Sequence, residues 1–317
     1  QPTLESVTPV DPVLTSTSVA TSQETDRFIA TDAAPRLPVS NQTGTIDIID
    51  PDNFLQDQME VRSSGDESAG TGYTRSTDTF YCPVWALHKD IGRQERANAV
   101  DPIRLREETT TLLTHQALIR VENSFASNLM STSVWDTDRT GGTDFTVWDD
   151  DSSDPINEID TQVEALDQQG AMGRRVLILG RSVFTHLRRH PLIESKFNVT
   201  NVDSINEQML ANVFDVDEVR VMRAVENTAN EGATISRGFI VDKDALLMIR
   251  PENPGLQTPS AAYTITWTGV SDGLGEDVAM RSFDLTENNA TRIEIEQAFT
   301  HKVMQSNLGI FFSGAVS

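Results

Sequence analysis

One serine follows a predicted strand and a glycine in a pattern that could hold a nucleophile. The stretch RVLILGRSVFTHLRRH (175–190) predicts a strand, then Gly180 and Ser182, then a helix. A nucleophilic serine at such a turn belongs to a Gly-x-Ser-x-Gly motif, whose second glycine lets the helix start close behind the serine. Phe184 stands where that second glycine is needed. The sequence therefore favours Ser182 as a helix cap rather than as a catalytic residue.

The histidines that follow Ser182 do not complete a catalytic or metal-binding set. A hydrolase of this kind needs an acid and then a histidine after the serine, and nothing indicates that His301, in a strand-like pattern, returns to Ser182. His186 and His190 have the i, i+4 spacing of two zinc ligands, but two arginines lie between them and would repel a cation. We therefore predict no catalytic residue, no cofactor and no metal site here.

Acidic clusters are more simply explained as turns. DTDRTG (136–141) has the Asp and Gly spacing of a calcium loop, but Val147 stands where the bidentate glutamate is required. In DDDSSD (149–154), the pair Asp154-Pro155 is typical of a helix start. Both acidic stretches are therefore predicted to be solvated turns.

The charge balance weighs against a protein that holds nucleic acid by its own electrostatics. The 317 residues carry 48 acidic and 25 basic side chains, a formal net charge of −23, whereas phosphate binding needs clustered Lys and Arg. No apolar run approaches the length of a membrane span and the first residues do not resemble a signal peptide. The single Cys82 excludes an internal disulfide framework. Copies of so acidic a chain repel one another, so an assembly would need extensive apolar or interlocking contacts.

Several predicted elements are too extended for an isolated compact domain. Residues 1–27, rich in Thr, Ser and Pro, predict a flexible arm. Residues 44–91 predict a long antiparallel hairpin whose tip contains SSGDESAGTG (63–72). Both faces of the return arm are apolar, as Tyr81, Trp85 and Leu87 alternate with Phe80, Cys82 and Val84. We therefore expect another subunit to cover part of this hairpin.

A long helix and a strand-rich end complete the predicted elements. The run 102–131 lacks Gly and Pro after its first residue, and Asp101-Pro102 is a suitable start. A helix of this length is about 44 Å long and would form the backbone of a domain. Residues 156–172 (INEIDTQVEALDQQGAM) predict a second, amphipathic helix with Ile156, Ile159, Val163 and Leu166 on one face. The last 57 residues are predicted to be mostly strands.

Taken in order, these stretches resemble the major capsid proteins of tailed double-stranded DNA bacteriophages, which have the Hong Kong 97-type fold. DRFIATDAAPRLPV resembles the lead-in to the main domain, and GDESAGTGYTRSTDTFYCPVWALHKDI resembles the extended loop, or E-loop. RANAVDPIRLREETTTLLTHQALIRVENSFA resembles the spine helix. RVLILGRSVFTHLRRHPLIESKF and LANVFDVDEVRVMRAV resemble the axial domain, and PENPGLQTPSAAYTITW and RIEIEQAFTHKV the closing strands.

The resemblance implies an α+β fold with a defined order of parts. These are an N-terminal arm (1–27), a lead-in to the peripheral domain (28–43), the E-loop, an extended β-hairpin (44–95), the peripheral domain (96–165) with spine helix 102–131, the axial α/β domain (166–258), and the peripheral return with the C-terminal strands (259–317).

The resemblance also implies a structural function without enzymatic activity. Copies would assemble as hexamers and pentamers into an icosahedral head that encloses double-stranded DNA without specific recognition. Further partners would be a portal and a scaffolding or cement protein, and no membrane. The chain would be found in the virion, after assembly in the host cytoplasm. The alternatives are an encapsulin-type nanocompartment shell, a serine hydrolase centred on Ser182, and a secreted adhesin.

Six residues of the E-loop are candidates for contacts between subunits. They are Arg62, Arg75, Phe80, Tyr81, Trp85 and Leu87. Some family members weld their shells with an isopeptide bond from an E-loop lysine, but residues 60–78 contain no lysine and Lys89 lies at the base. We therefore expect shells without such cross-links, which release a single 35.0 kDa chain on boiling in detergent.

Overall fold

Two five-stranded sheets and one long helix organise the chain in the computed structural model. The structure describes residues 11, 14, 15, 18, 27–49, 55–72, 74–99, 102–170, 173–197, 205–230, 233–252, 255, 260–271 and 278–317. The helices are α1 (Ala30–Ala33), α2 (Arg93–Asn98), α3 (Pro102–Leu129), α4 (Pro155–Asp167), α5 (Arg181–Arg189), α6 (Pro191–Phe197) and α7 (Glu207–Val213). The strands are β1 (Arg36–Val39), β2 (Thr43–Ile49), β3 (Arg75–Tyr81), β4 (Val84–Gly92), β5 (Thr137–Thr140), β6 (Arg174–Leu179), β7 (Glu218–Val221), β8 (Val225–Asn227), β9 (Arg237–Phe239), β10 (Ala245–Arg250), β11 (Ala262–Trp267), β12 (Val278–Leu285), β13 (Ala290–Val303) and β14 (Gly309–Ser313).

The first sheet is built around β13, which is 14 residues long. Strands β4, β11 and β12 all pair with it in antiparallel register, and β1 joins the far edge of β11 in parallel. Helix α3 packs across β13. Strand β13 and helix α3 therefore form one packed unit, as expected for a spine helix.

The second sheet has the order β5-β14-β10-β6-β7 and carries the largest apolar core. Its central strands are buried along nearly their whole length, as continuous apolar runs such as 176–179 and 245–249 predict. Helix α4 buries Ile159, Val163 and Leu166 in this core, so the predicted amphipathic helix is confirmed, although it ends at Asp167 and not at the predicted limit of 172. Its predicted start is also confirmed, because the Asp154 carboxylate accepts a bond from the Asn157 N–H at 3.1 Å.

The hairpin predicted over 44–91 is shorter than expected. Strands β2 and β3 pair over 43–49 and 75–81, but β4 leaves the hairpin and pairs with β13 instead. Pro83 stands between β3 and β4, and a proline has no N–H to offer to a continued ladder. The prediction of one continuous hairpin is therefore wrong for the return arm beyond Pro83.

The spine helix ends two residues before its predicted limit and begins at Pro102, while Asp101, its predicted cap, lies outside the described residues. Its 28 residues bury Leu113, Val121 and Phe125. Three buried threonines on this helix donate a hydrogen bond from the side-chain hydroxyl to the backbone carbonyl four residues earlier, at 2.8–3.0 Å. They are Thr109, Thr110 and Thr114. Those internal bonds let threonine lie on a buried helix face without an unsatisfied hydroxyl.

The described residues of the N-terminal arm are packed against the chain itself. Leu14 is buried in a cluster with Leu113 and Met280, and the Met280 N–H donates to the Thr15 hydroxyl at 3.1 Å. The Ser18 and Thr114 hydroxyls lie 2.7 Å apart. At these positions the prediction of a flexible arm is wrong, because apolar contact and hydrogen bonds hold the arm on α3 and β12.

Ser182 is not the cap of helix α5. Gly180 holds the cap position and Ser182 is the second helical residue, with its hydroxyl donating to the Asp242 carboxylate at 2.6 Å. The Ser182 N–H contacts the same carboxylate at 3.2 Å and the Asp242 carbonyl at 3.1 Å. The prediction that Ser182 caps this helix is therefore wrong, because the acceptor at the helix start is the carboxylate of Asp242, which lies in a loop 60 residues later in the chain.

Candidate inter-subunit surface

The tip of the E-loop is exposed, although its Leu55 side chain lies so close to Gly170 that an added Cβ there would meet it at 2.5 Å. Residues 55–72 are exposed throughout, and Met59 and Val61 retain 93% and 102% of their reference surface. Hydrogen bonds within the tip are local, such as that from the Met59 N–H to the Asp57 carboxylate at 3.1 Å. Arg62 lies in this exposed tip. Met59 and Val61 are therefore left in water, and they would lose that exposure if another chain covered the tip.

Phe80 lies on the inner side of the hairpin and is only 9% exposed. It belongs to a cluster with Leu37 and Ile46, and a Cβ on Gly44 would come within 2.8 Å of its ring. Glycine at position 44 therefore makes room for this ring. The structure places Phe80 in the core of the chain, away from the other candidates.

The remaining candidates on β3 and β4 lie at the surface. Tyr81 is 58% exposed and Leu87 is 42% exposed. Trp85 is half-buried beneath the Arg120 guanidinium, whose Cζ lies 3.8 Å from the ring centroid. Arg75 pairs across the hairpin with Asp47 at 3.4 Å. Tyr81 and Leu87 are therefore exposed, whereas Trp85 packs against Phe299 and Arg75 is held by Asp47.

Two ion pairs fix the base of the E-loop to β13. Lys302 Nζ lies 2.7 Å from Asp78 Oδ2 and donates to the Thr79 carbonyl at 2.6 Å. The hydrogen bond from Lys302 lowers the pKa of the Asp78 carboxyl. Arg292 binds both oxygens of Asp90, at 2.7 and 2.9 Å, and lowers the pKa of that carboxyl. The base of the E-loop is thus held to the sheet.

The structure does not bring the residues of the hydrolase hypothesis together. His301 donates from Nε2 to the Val121 carbonyl at 3.2 Å and places Nδ1 2.9 Å from the Thr264 hydroxyl. Burial lowers the pKa of His301 to about 4, so the ring is neutral. His190 is buried with Nε2 3.1 Å from the Ser153 hydroxyl. Among the described residues, no hydrogen bond joins either ring to Ser182.

Other site classes also find no support in the described ranges. No group of three or more His, Cys, Asp and Glu side chains could hold a metal ion there. The same ranges contain no helix whose length and apolar character would let it cross a membrane.

Sequence reasoning missed one buried charge. Glu122 lies within α3, fully buried, and its carboxylate accepts bonds from the N–H groups of Ile29 and Ala30 at 3.4 and 2.9 Å. Burial raises the pKa of this carboxyl to about 7. A signal was present, because Glu122 has helical spacing with the buried Leu118 and Phe125 and therefore falls on the apolar stripe.

Comparison with known proteins agrees with this architecture. No protein-family model matches the chain. The chain is 25% identical to the major capsid protein of Pseudomonas phage JBD67, over 98% of each sequence. A phage-related protein from Bordetella bronchiseptica RB50 has a similar structure, with a TM-score of 0.75, 20% identity and 98% of each chain covered. The capsid of cyanophage P-SCSP1u matches with a TM-score of 0.54 and 13% identity, over 90% of this chain and 88% of that one. The chain has the Hong Kong 97-type capsid fold.

The structural neighbours also include an encapsulin. An encapsulin complex from Synechococcus elongatus PCC 7942 matches with a TM-score of 0.54 and 9% identity, over 92% of this chain and 89% of that one. The predicted α+β class and the predicted resemblance to phage major capsid proteins are confirmed. Within this Hong Kong 97-type fold, the domain boundaries and the inter-subunit candidates stay predictions.

Proposed function

We propose that this chain is the major capsid protein of a tailed bacteriophage and forms the shell of its head. The observation that carries the proposal is the similarity to the JBD67 major capsid protein, which extends over 98% of both chains. The exposed tip 55–72 supports it, because Met59 and Val61 lie fully in solvent on the isolated chain. Burial of such side chains between copies would favour assembly.

The proposed assembly is a closed icosahedral shell of hexamers and pentamers. Repeated copies of one chain close into a shell when each makes the same contacts with its neighbours. A portal and a scaffolding or cement protein are the further partners we propose, and the site of action is the virion after assembly in the host cytoplasm. We assign the chain a structural role and no catalytic one.

The acidity of the chain fits a wall that encloses DNA without binding it. A formal net charge of −23 repels phosphate groups unless counterions intervene. DNA confined inside such a shell would therefore remain free of specific contacts with the wall. The free subunit is expected to have little affinity for duplex DNA even at low salt.

An encapsulin-type nanocompartment is the second candidate, because an encapsulin complex shares the fold at a TM-score of 0.54. The two functions differ in what the shell contains. Particles purified from cells in which the chain is produced with its natural neighbours should contain genomic DNA if it is a phage capsid protein. A protein cargo in place of DNA would favour the encapsulin function instead.

A further inference from the structure

The outer edge of strand β12 is a place where a further strand could join the first sheet. β12 pairs with β13 in antiparallel register, with Met280 opposite Ile295. In such a ladder every second residue directs both its N–H and its carbonyl away from the partner strand. Met280 is one of these residues, because both of its backbone groups bond outside the sheet. Ser282 and Asp284 follow at intervals of two residues and therefore also face outward.

The N-terminal arm covers this edge at Met280. The Asp11 N–H donates to the Met280 carbonyl at 2.8 Å, and the Met280 N–H donates to the Thr15 hydroxyl at 3.1 Å. Within the described part of the chain, no hydrogen bond from outside the sheet reaches the backbone groups of Ser282 or Asp284. The arm thus closes one end of an edge whose other end is open.

A single capped turn of helix holds the arm in this position. The Asp11 carboxylate accepts from the Leu14 N–H at 3.2 Å, and the Asp11 carbonyl accepts from the Thr15 N–H at 3.0 Å. The Thr15 hydroxyl donates to the same carbonyl at 2.8 Å while it accepts from Met280, so it joins the turn to the sheet. Leu14, only 6% exposed, fills the apolar cluster between α3 and β12 with Leu113 and Met280.

We propose that residues 11–18 guard the edge of β12, and that this edge pairs with the β12 edge of a second copy when the arm is displaced. An uncovered sheet edge is a template for pairing with another chain, and proteins protect such edges by covering them. The guard acts in the free subunit, so it is independent of the shell contacts proposed above.

An identical strand suits this edge. Antiparallel pairing of two copies about Ser282 joins outward-facing residues and places Met280 opposite Asp284. The same register places Arg281 opposite Phe283, a favourable neighbour for a guanidinium. No two like charges face each other in this register, and like charges directly opposite would be unfavourable. The contact is isologous, because each copy contributes the same surface.

Replacement of Leu14 tests the guard. Leu14→Asp places a carboxylate in the apolar cluster and should drive the arm from β12. We expect the concentration of half-association, measured by analytical ultracentrifugation over a dilution series, to fall at least roughly tenfold below that of the parent chain. Leu14→Met is the matched control, since it keeps an apolar side chain of similar volume and should associate as the parent does. Equal association of the two variants would mean that the arm guards nothing.

A proline on the edge distinguishes strand pairing from association of a misfolded chain. Ser282→Pro removes an outward N–H that a second strand needs and leaves the ladder to β13 intact. Added to Leu14→Asp, it should return the concentration of half-association to the parent value. The Ser282→Pro chain alone, which loses the bond from Arg106 to the Ser282 hydroxyl at 2.6 Å, shows what the proline itself does. Association that persists in the double variant would overturn the proposal.

Hydrogen exchange at single-residue resolution locates the contact. In the parent chain the Met280 amide should exchange slowly, because it donates to Thr15, whereas the Ser282 and Asp284 amides should exchange quickly. In the associated Leu14→Asp chain the Ser282 and Asp284 amides should slow at least roughly tenfold. If these two amides remain fast in the associated material, the copies meet through another surface and the proposed pairing is wrong.

Discussion

Glu122 shows how one buried side chain can link the stability of the subunit to pH. Its carboxylate bonds the N–H groups at the start of α1, and so ties the lead-in segment to the spine helix. Burial raises the pKa to about 7 from an ordinary value of 4.5. The folded chain therefore binds this proton more tightly than the unfolded chain does. The contribution to stability is fully present below pH 4.5 and is lost as the pH rises through 7.

Replacement of this carboxyl by an amide should remove that pH dependence. We expect Glu122→Gln to keep an acceptor for the Ala30 N–H and to be more stable than the parent chain at pH 8, by up to about 3 kcal/mol. The measurement is the free energy of unfolding of unassembled subunits in urea, at several pH values from about 4 to 8. If the free energy of unfolding depends on pH in the same way for both chains across this range, Glu122 does not have the raised pKa assigned to it.

The start of α5 gives a second test at the scale of single residues. The Asp242 carboxylate receives both the hydroxyl and the N–H of Ser182. We expect Asp242→Ala to lower the free energy of unfolding by about 1–2 kcal/mol, the usual worth of a helix cap. Ser182→Ala should cost less, because the backbone donor keeps its acceptor. In the Asp242→Ala background, Ser182→Ala should have almost no further effect.

If Ser182→Ala lowered the free energy of unfolding more than Asp242→Ala, the serine and not the aspartate would be the main cap. The structure indicates otherwise because Gly180 brings the strand end close to the 242 loop. A Cβ at Gly180 would come within 2.4 Å of the Asp242 carbonyl oxygen. Local sequence pattern could not predict this contact, since Asp242 follows Ser182 by 60 residues.

At the scale of elements, the base of the E-loop depends on the fit between β2 and β3. Gly44 faces the Phe80 ring so closely that a Cβ would approach Cε1 within 2.8 Å. We expect Gly44→Ala to destabilise the hairpin by about 1–3 kcal/mol, because the ring must shift in a packed cluster. Hydrogen exchange of the amides of 75–81 should accelerate accordingly.

The matched control for that change lies in the same loop. A Cβ at Gly72 would meet no atom within 4 Å, and the φ of Gly72 is not positive. Gly72→Ala should therefore leave stability and exchange nearly unchanged. Equal effects of the two substitutions would mean that Phe80 does not depend on the space above Gly44.

Local sequence pattern predicted the elements better than their partners. The helical spacing of apolar residues indicated α4, and the pair Asp154-Pro155 indicated its start. Both patterns involve residues that are close together in the sequence. The pairing of β4 with β13 could not be predicted, since Asp90 and its partner Arg292 are 202 residues apart. The same holds for the cleft between the lead-in segment and α5, α7 and β7, whose described lining extends from Arg27 to Phe239. Such sites arise only when the fold brings distant segments together.

At the scale of the whole molecule, the net charge decides what association between copies would require. A chain with a net charge of −23 resists association unless apolar or complementary contacts compensate. In the proposed shell, the exposed apolar side chains of the tip 55–72 would supply part of such contacts between copies.

Electron cryomicroscopy of the purified full chain tests the central claim most directly. We predict closed polyhedral shells of uniform size, built from hexamers and pentamers, with residues 55–72 of each copy lying on a neighbour. A protein that remains monomeric in every condition of salt, pH and concentration would contradict the proposed capsid function.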